Sequence, residues 1–314
     1  MRAASIILFS AVILSGLGCN PVGDGRVGFP EIERARPKVV AVNYPLGFFA
    51  EYLGGDSIEV DYPFRGKGDP AFWSPSEAAM GEIMEADLIL LNGAGYAKWA
   101  DGAFLPIRKT IVSCAGLEDQ LIPAQTESHR HGPDGGQDHG KVAFTTWLDF
   151  ELATLQASRV AEAIKSLPGI DEGKVDDQLV ELKLHIDKLS LKMKTVSKRL
   201  QGRRIFASHP VYQYLGNRYG ISIHSFHWEP DAEVSDEEWR KFDQFLKEEN
   251  PVLMLWEAEP IEGHRIRLDQ HGVPMTVFSP CGDVPLSGDL LSVFDANIDA
   301  LLLMIESVVP NKNE

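Results

Sequence analysis

The sequence predicts an α/β protein of two lobes, each a parallel sheet with flanking helices, joined by one long backbone helix. Three observations carry that prediction. Short apolar runs ending in turn residues alternate with helix-like stretches through the first half of the chain. The same alternation returns after residue 200. Between the two sets lies an amphipathic run that no Gly or Pro interrupts.

The first lobe is expected to place strands at residues 39–42, 58–60, 88–91 and 110–113, with a helix over 76–85. In the bridging segment apolar residues fall at Val175, Leu179, Leu182, Ile186, Leu189, Met193, Val196 and Leu200, stepping by four and three, between Gly173 and Gly202. At 1.5 Å per residue such a helix spans roughly 39 Å, enough to run down both lobes and limit their swing. The spacing also suits a coiled-coil dimer, but about four heptads between folded lobes favour packing within the chain. The second lobe is expected to place strands at 204–207, 221–223, 252–255 and 275–278. The domain reading is a signal peptide (1–18), a tether (19–36), an N-terminal lobe (37–170), a bridging helix (171–202) and a C-terminal lobe (203–314).

Charge and composition narrow the function. The 314 residues carry a net charge of −16, and no local basic patch offsets it, so nucleic acid is excluded as a partner. Apolar residues at 44% and charged residues at 24% exclude wholesale disorder. Three cysteines are too few for a disulfide framework. Arg2, the apolar run from Ile6 to Leu14 and the small residues before Cys19 read as an export signal too short to span a membrane. Cys19 after Gly18 is similar to the box at which bacterial lipoproteins are cleaved and acylated, although Leu17 stands one place later than usual. The expected location is periplasmic or cell-surface, lipid-anchored through Cys19, with Cys114 and Cys281 as the thiols left over. Cys114 is read as a small buried residue. No oligomer signal stands out, so a monomer is expected.

Several strings are more specific. Pro75-Ser76-Glu77 leads to Ala86-Asp87-Leu88-Ile89-Leu90-Leu91-Asn92-Gly93-Ala94-Gly95 and Trp99. Later come Trp147-Leu148-Asp149, then Ser208-His209-Pro210-Val211-Tyr212-Gln213-Tyr214, then Arg218-Tyr219-Gly220. Glu259-Pro260 and Pro280-Cys281-Gly282 complete the set. In this order and spacing the chain resembles the zinc/manganese solute-binding proteins of bacterial ABC transporters, over residues 37–310. The resemblance implies two Rossmann-like lobes on a rigid backbone helix. It also implies a receptor that captures a divalent metal between the lobes and passes it to a membrane permease, with no enzymatic activity.

The resemblance further implies up to four metal ligands, one near the end of each of four segments. His209 matches one of them. The other three positions fall on Ala71, Thr145 and Ser279, which are not metal ligands of that kind. Replacements follow from chemistry and place. Asp69 lies two residues before Ala71, Glu257 and Glu259 follow the apolar run 252–255, and Cys281 lies two residues past Ser279. All are expected where a strand hands over to a loop, the edge at which open α/β sheets bind ligands. A site of His209, Asp69 and Glu257, closed by water or Cys281, would be an N/O zinc site.

The segment 127–140 holds His129, His131 and His139 among three acidic residues and four glycines. It matches the place of the His-rich loop in zinc-specific relatives, and its expected role is a low-affinity zinc collector. Zinc is therefore expected ahead of manganese, whose receptors use more carboxylate. His224, His227 and Trp228 follow a second-lobe strand and are weighed as cleft residues. His185 is expected to be solvated, and His264 and His271 are assigned no role. Phe72, Trp73, Trp99 and Trp147 are expected to pack the cleft walls. Two other functions stay open at this point. Trp73, Trp147 and Trp228 could line a cleft for a metal chelate or small organic solute, or the fold could serve adhesion. A hydrolase using His129, His131 and His209 with Glu257 as base is disfavoured, because no helix-borne His-Glu-x-x-His, nucleophile elbow or phosphate loop is present.

Overall fold

A computed structural model of the protein describes residues 36–64, 68–124 and 142–309. The expected signal peptide, most of the tether, Cys19 and the His-rich segment with His129, His131 and His139 lie outside the described residues. Arg36–Glu314 is one compact unit.

The first sheet contains β1 (Lys38–Ala41), β2 (Glu59–Asp61), β3 (Leu88–Leu91) and β4 (Thr110–Val112) in the order β2-β1-β3-β4. The second contains β5 (Ile205–Ala207), β6 (Ile223–Ser225), β7 (Met254–Trp256) and β8 (Met275–Val277) in the order β6-β5-β7-β8. Every pairing is parallel. The two sheets therefore share one topology, and each reverses strand order at the carboxyl ends of its first and third strands. The expected strand at 221–223 starts two residues late. Gly220 ends the preceding helix in the left-handed region at φ 63°, and Ile221 N still donates to Gly216 O at 2.9 Å. Ile221 thus closes a helix cap, and pairing begins at Ile223.

The helices are α1 (Tyr44–Gly54), α2 (Glu77–Glu85), α3 (Phe150–Lys165), α4 (Glu172–Leu200), α5 (Gln213–Tyr219), α6 (Asp236–Glu249), α7 (Glu262–Gln270) and α8 (Leu290–Val308). Among the described residues, no helix is long and apolar enough to cross a membrane. Helix α4 is the bridging helix: Asp171 caps its start by accepting from Lys174 N, and all eight expected seam residues are buried. It packs on α1 and α3 of the first lobe and on α8 and α5 of the second, so its seam belongs to both lobes. Each buried Leu, Ile or Val in that seam contributes roughly 1.5–3 kcal/mol of burial.

The specific strings of the sequence become joints between the lobes. Asp149 caps α3 through Glu151 N and Leu152 N, and its Oδ1 also accepts from Arg218 Nε on α5 at 2.7 Å. The same guanidinium reaches Glu151 through Nη1 at 2.8 Å. Trp147 Nε1 donates to Pro280 O at 2.7 Å, and Tyr214 Oη donates to Ala143 O at 3.0 Å while accepting from Ile122 N. Asn92, just past β3, gathers Asn43, Thr146 and Gln156 around its Oδ1 and donates to Phe144 O. That amide network fills the crevice at the carboxyl ends of β1 and β3.

Arg218→Ala leaves the buried Asp149 carboxylate without its guanidinium and is expected to cost about 1–3 kcal/mol in urea unfolding. Arg218→Lys should recover only part of this, because one ammonium cannot reach both Asp149 and Glu151 as the fork does.

Candidate metal centre

The crevice of the second sheet is built differently from that of the first. Ser208 continues β5 by donating its N–H to Leu255 O, so His209 emerges directly above the end of β5. Glu257 is the residue after β7. β5 and β7 are the neighbours between which strand order reverses, and the two side chains therefore share the crevice at the carboxyl edge. Glu229 arrives from the loop after β6. Trp228 N donates to Ser208 O at 2.8 Å, and the indole is buried with Trp239 and Phe242, which anchors the loop beside His209. His209 Nδ1 lies 3.6 Å from Glu229 Oε1.

His209, Glu229 and Glu257 each offer one ligand atom, and these atoms lie within 4.8 Å of one another. Burial, then the charges of Glu229 and Asp69, push the Glu257 carboxyl up to about 8. Burial likewise raises Asp69, whose Oδ1 accepts from Ala71 N at 2.8 Å and caps the short turn Pro70–Phe72. Asp69 and His209 line one cavity of about 30 Å³, together with Phe72, Thr145, Val211 and Gln213. That is space enough for an ordered water. The arrangement can take a small cation at a mixed imidazole and carboxylate site, since a cation relieves the repulsion among the acids.

The expected residues divide on placement. His209 and Glu257 converge, and Asp69 shares the cavity with His209 and lies near enough to Glu257 for its charge to act on it. Cys281 stands outside the converging group: it is buried with its backbone at φ 53°, its Sγ lies 3.7 Å from Ser279 Oγ, and burial pushes the thiol up to about 11. Glu259 is also outside the group, exposed and paired with Arg265. The three positions without usual ligands serve structure instead. Ala71 is buried, Thr145 Oγ1 donates to Val211 O across the lobes at 2.6 Å, and Ser279 exchanges backbone hydrogen bonds with the Asn297 amide of α8.

Glu229 escaped the sequence reading, which stopped at its neighbours His224, His227 and Trp228. The available signal was parity: a large aromatic that must be buried at Trp228 turns the next residue toward the opposite side. His224 instead contacts Glu249 of α6 at 3.0 Å, and His227 lies with its ring 5.8 Å from that of His209. His264 is buried among Trp228, Trp239 and Trp256, which the sequence did not foretell. The solute cleft walled by three tryptophans is corrected here: Trp147 is 1% and Trp228 2% exposed, both filling cores, and only Trp73 is half-buried beside Phe64 and Trp99.

A family model for the periplasmic component A of the zinc-uptake complex matches residues 39–301. The zinc-binding lipoprotein AdcA of Streptococcus pneumoniae is 22% identical over 96% of this chain and 60% of its own length. The chain thus spans about three-fifths of that relative. The high-affinity zinc uptake system protein ZnuA of Bacillus subtilis is 23% identical over 70% of each chain. Among solved structures, the zinc-bound ZnuA-like domain of S. pneumoniae AdcA superposes with a TM-score of 0.72 at 16% identity, covering 87% of this chain and 100% of that domain. The B. subtilis metal-dependent lipoprotein YcdH gives 0.70 at 18% identity, covering 85% and 98%. At these identities the solved structures establish a common two-lobe fold.

The raised Glu257 carboxyl has a consequence for the metal-free protein. The folded state holds this proton more tightly than the unfolded chain, where the group titrates near 4.5. Its contribution to stability is complete below about 4.5 and is lost as pH rises through about 8. Thermal melts of the metal-free protein should therefore fall across that window, and Glu257→Gln should flatten the fall and raise the melting temperature at pH 9.

Proposed function

The chain belongs to the ZnuA family of periplasmic zinc-uptake components, and from that premise we propose that it is an extracytoplasmic receptor that captures zinc and delivers it to a membrane permease. The observation that carries this reading is the convergence of His209, Glu229 and Glu257 at the switch point of the second sheet. One imidazole with two carboxylates is a donor set that zinc accepts, and the Asp69 carboxylate across the cavity supplies further negative charge. All three converging ligands come from the C-terminal lobe. The N-terminal lobe adds Asp69 and the cavity wall.

The convergence of three ligand atoms within 4.8 Å of one another favours a bare ion over a chelate or an organic solute. Lipid anchoring through Cys19, a collecting role for His129, His131 and His139, and partnership with an ABC permease belong to this proposal through family likeness. Cys281 and Glu259 are left out of the proposed ligand set because of where they stand.

The test is a zinc titration against a competing chelator. Wild type should bind one ion tightly, and His209→Ala, Glu229→Gln and Glu257→Gln should each weaken binding more than about 100-fold, beyond the tenfold to hundredfold typical of outer-shell changes. Asp69→Asn should cost about tenfold. Tight binding that ignores all four variants would refute the site, and manganese bound in preference to zinc would refute the choice of metal.

A further inference from the structure

The proposed site has one polar neighbour that neither the family likeness nor the ion cluster accounts for. Gln213 is the first residue of α5, four places after His209, and its side chain lines the same cavity as His209 and Asp69. Its Oε1 is shielded from solvent and accepts no hydrogen bond from any described residue. A shielded amide oxygen left in that state costs about 1–3 kcal/mol, so a fold that keeps it needs a donor there. Among the described residues that line the cavity, Thr145 Oγ1 already donates to Val211 O, and the side chains of Phe72, Phe144 and Val211 carry no donor. Gln213 also borders a larger open groove of about 490 Å³ between α5 and β6, so the amide stands as the partition between that groove and the cavity.

We infer that the cavity is the seat of one water bound to the captured ion, and that Gln213 Oε1 and the Asp69 carboxylate are its two acceptors. This rests on the reading of His209, Glu229 and Glu257 as the metal ligands. A cation drawing electron density from its water makes that water a strong donor of two hydrogen bonds and a poor acceptor. Two acceptors on one side and a cation on the other are what such a water requires, and the cavity has room for a water. The three protein ligands supply one nitrogen and two oxygens, and the water completes a four-coordinate set. Gln213 then holds the ion through its water, and the N-terminal lobe takes part through Asp69 without direct ligation.

The experiment compares wild type, Gln213→Leu, Gln213→Glu and His209→Ala in zinc competition titrations, in melts of the metal-free proteins, and in the visible absorption of the cobalt-loaded forms. Gln213→Leu removes the unpaired oxygen at similar volume. The metal-free variant should melt at or above the wild-type temperature, while its zinc affinity falls about tenfold and the cobalt bands shift. Gln213→Glu restores an acceptor and should bind at least as tightly as wild type. If Gln213→Leu binds zinc and colours with cobalt as wild type does while His209→Ala fails to bind, the water seat is refuted and the ligand set stands. If His209→Ala binds as wild type does, the ligand set itself is refuted. A metal-free Gln213→Leu that melts well below wild type would overturn the inference, because the amide would then be a structural group.

Discussion

A carboxyl that burial and two acidic neighbours hold at about 8 is the constraint on which this site depends. Beside Glu229 and Asp69 at the end of β7, Glu257 holds a proton at neutral pH unless a cation takes its place. The charges that act on Glu257 are those of the acids Glu229 and Asp69, and an imidazole lies within reach. Everything else at the crevice follows from holding that cluster together. β5 and β7 deliver His209 and Glu257 from adjacent strands, and the buried Trp228 holds Glu229 against the histidine.

Keeping Asp69 of the first lobe beside that cluster in turn requires lobes that do not slide. Helix α4 gives one seam to both lobes, and Asp149 with Arg218, Trp147 with Pro280, and Thr145 with Val211 pin the rims. The two sheets share a topology but divide the work. The crevice of the first is filled by the Asn92 amide network, and that of the second carries the acids. The three positions at which related receptors would be expected to place ligands are occupied here by residues that pack or tie backbone, and the converging His209, Glu229 and Glu257 all belong to one lobe.

Most of the architecture could be read from residue order. The four-and-three spacing of Val175 to Leu200 marked α4 nearly to its ends, because a long seam has no other way to be buried. All eight strands were located within about two residues, and β6 is shifted by two because the Gly220 cap holds Ile221 back. The site was half legible. His209, Glu257 and Asp69 could be picked out because each sits where a strand or its loop meets the crevice. Glu229 could not, because its place depends on Trp228 choosing the core, a tertiary decision that local sequence leaves open. Cys281 was chemically attractive and geometrically idle: its backbone turns left-handed and its thiol is buried beside Ser279. His264, to which the sequence assigned no role, lies inside an aromatic core that three tryptophans from separate segments assemble.

The central claim is that one imidazole and oxygen atoms alone hold the ion. X-ray absorption at the zinc edge of the protein loaded with one equivalent tests it most directly. The account predicts a single imidazole scattering pattern, an oxygen shell near 2.0 Å and no sulfur at 2.3 Å. Two or more imidazoles would bring in His227 or the His129–His139 segment, a sulfur shell would bring in Cys281, and either result would contradict the account.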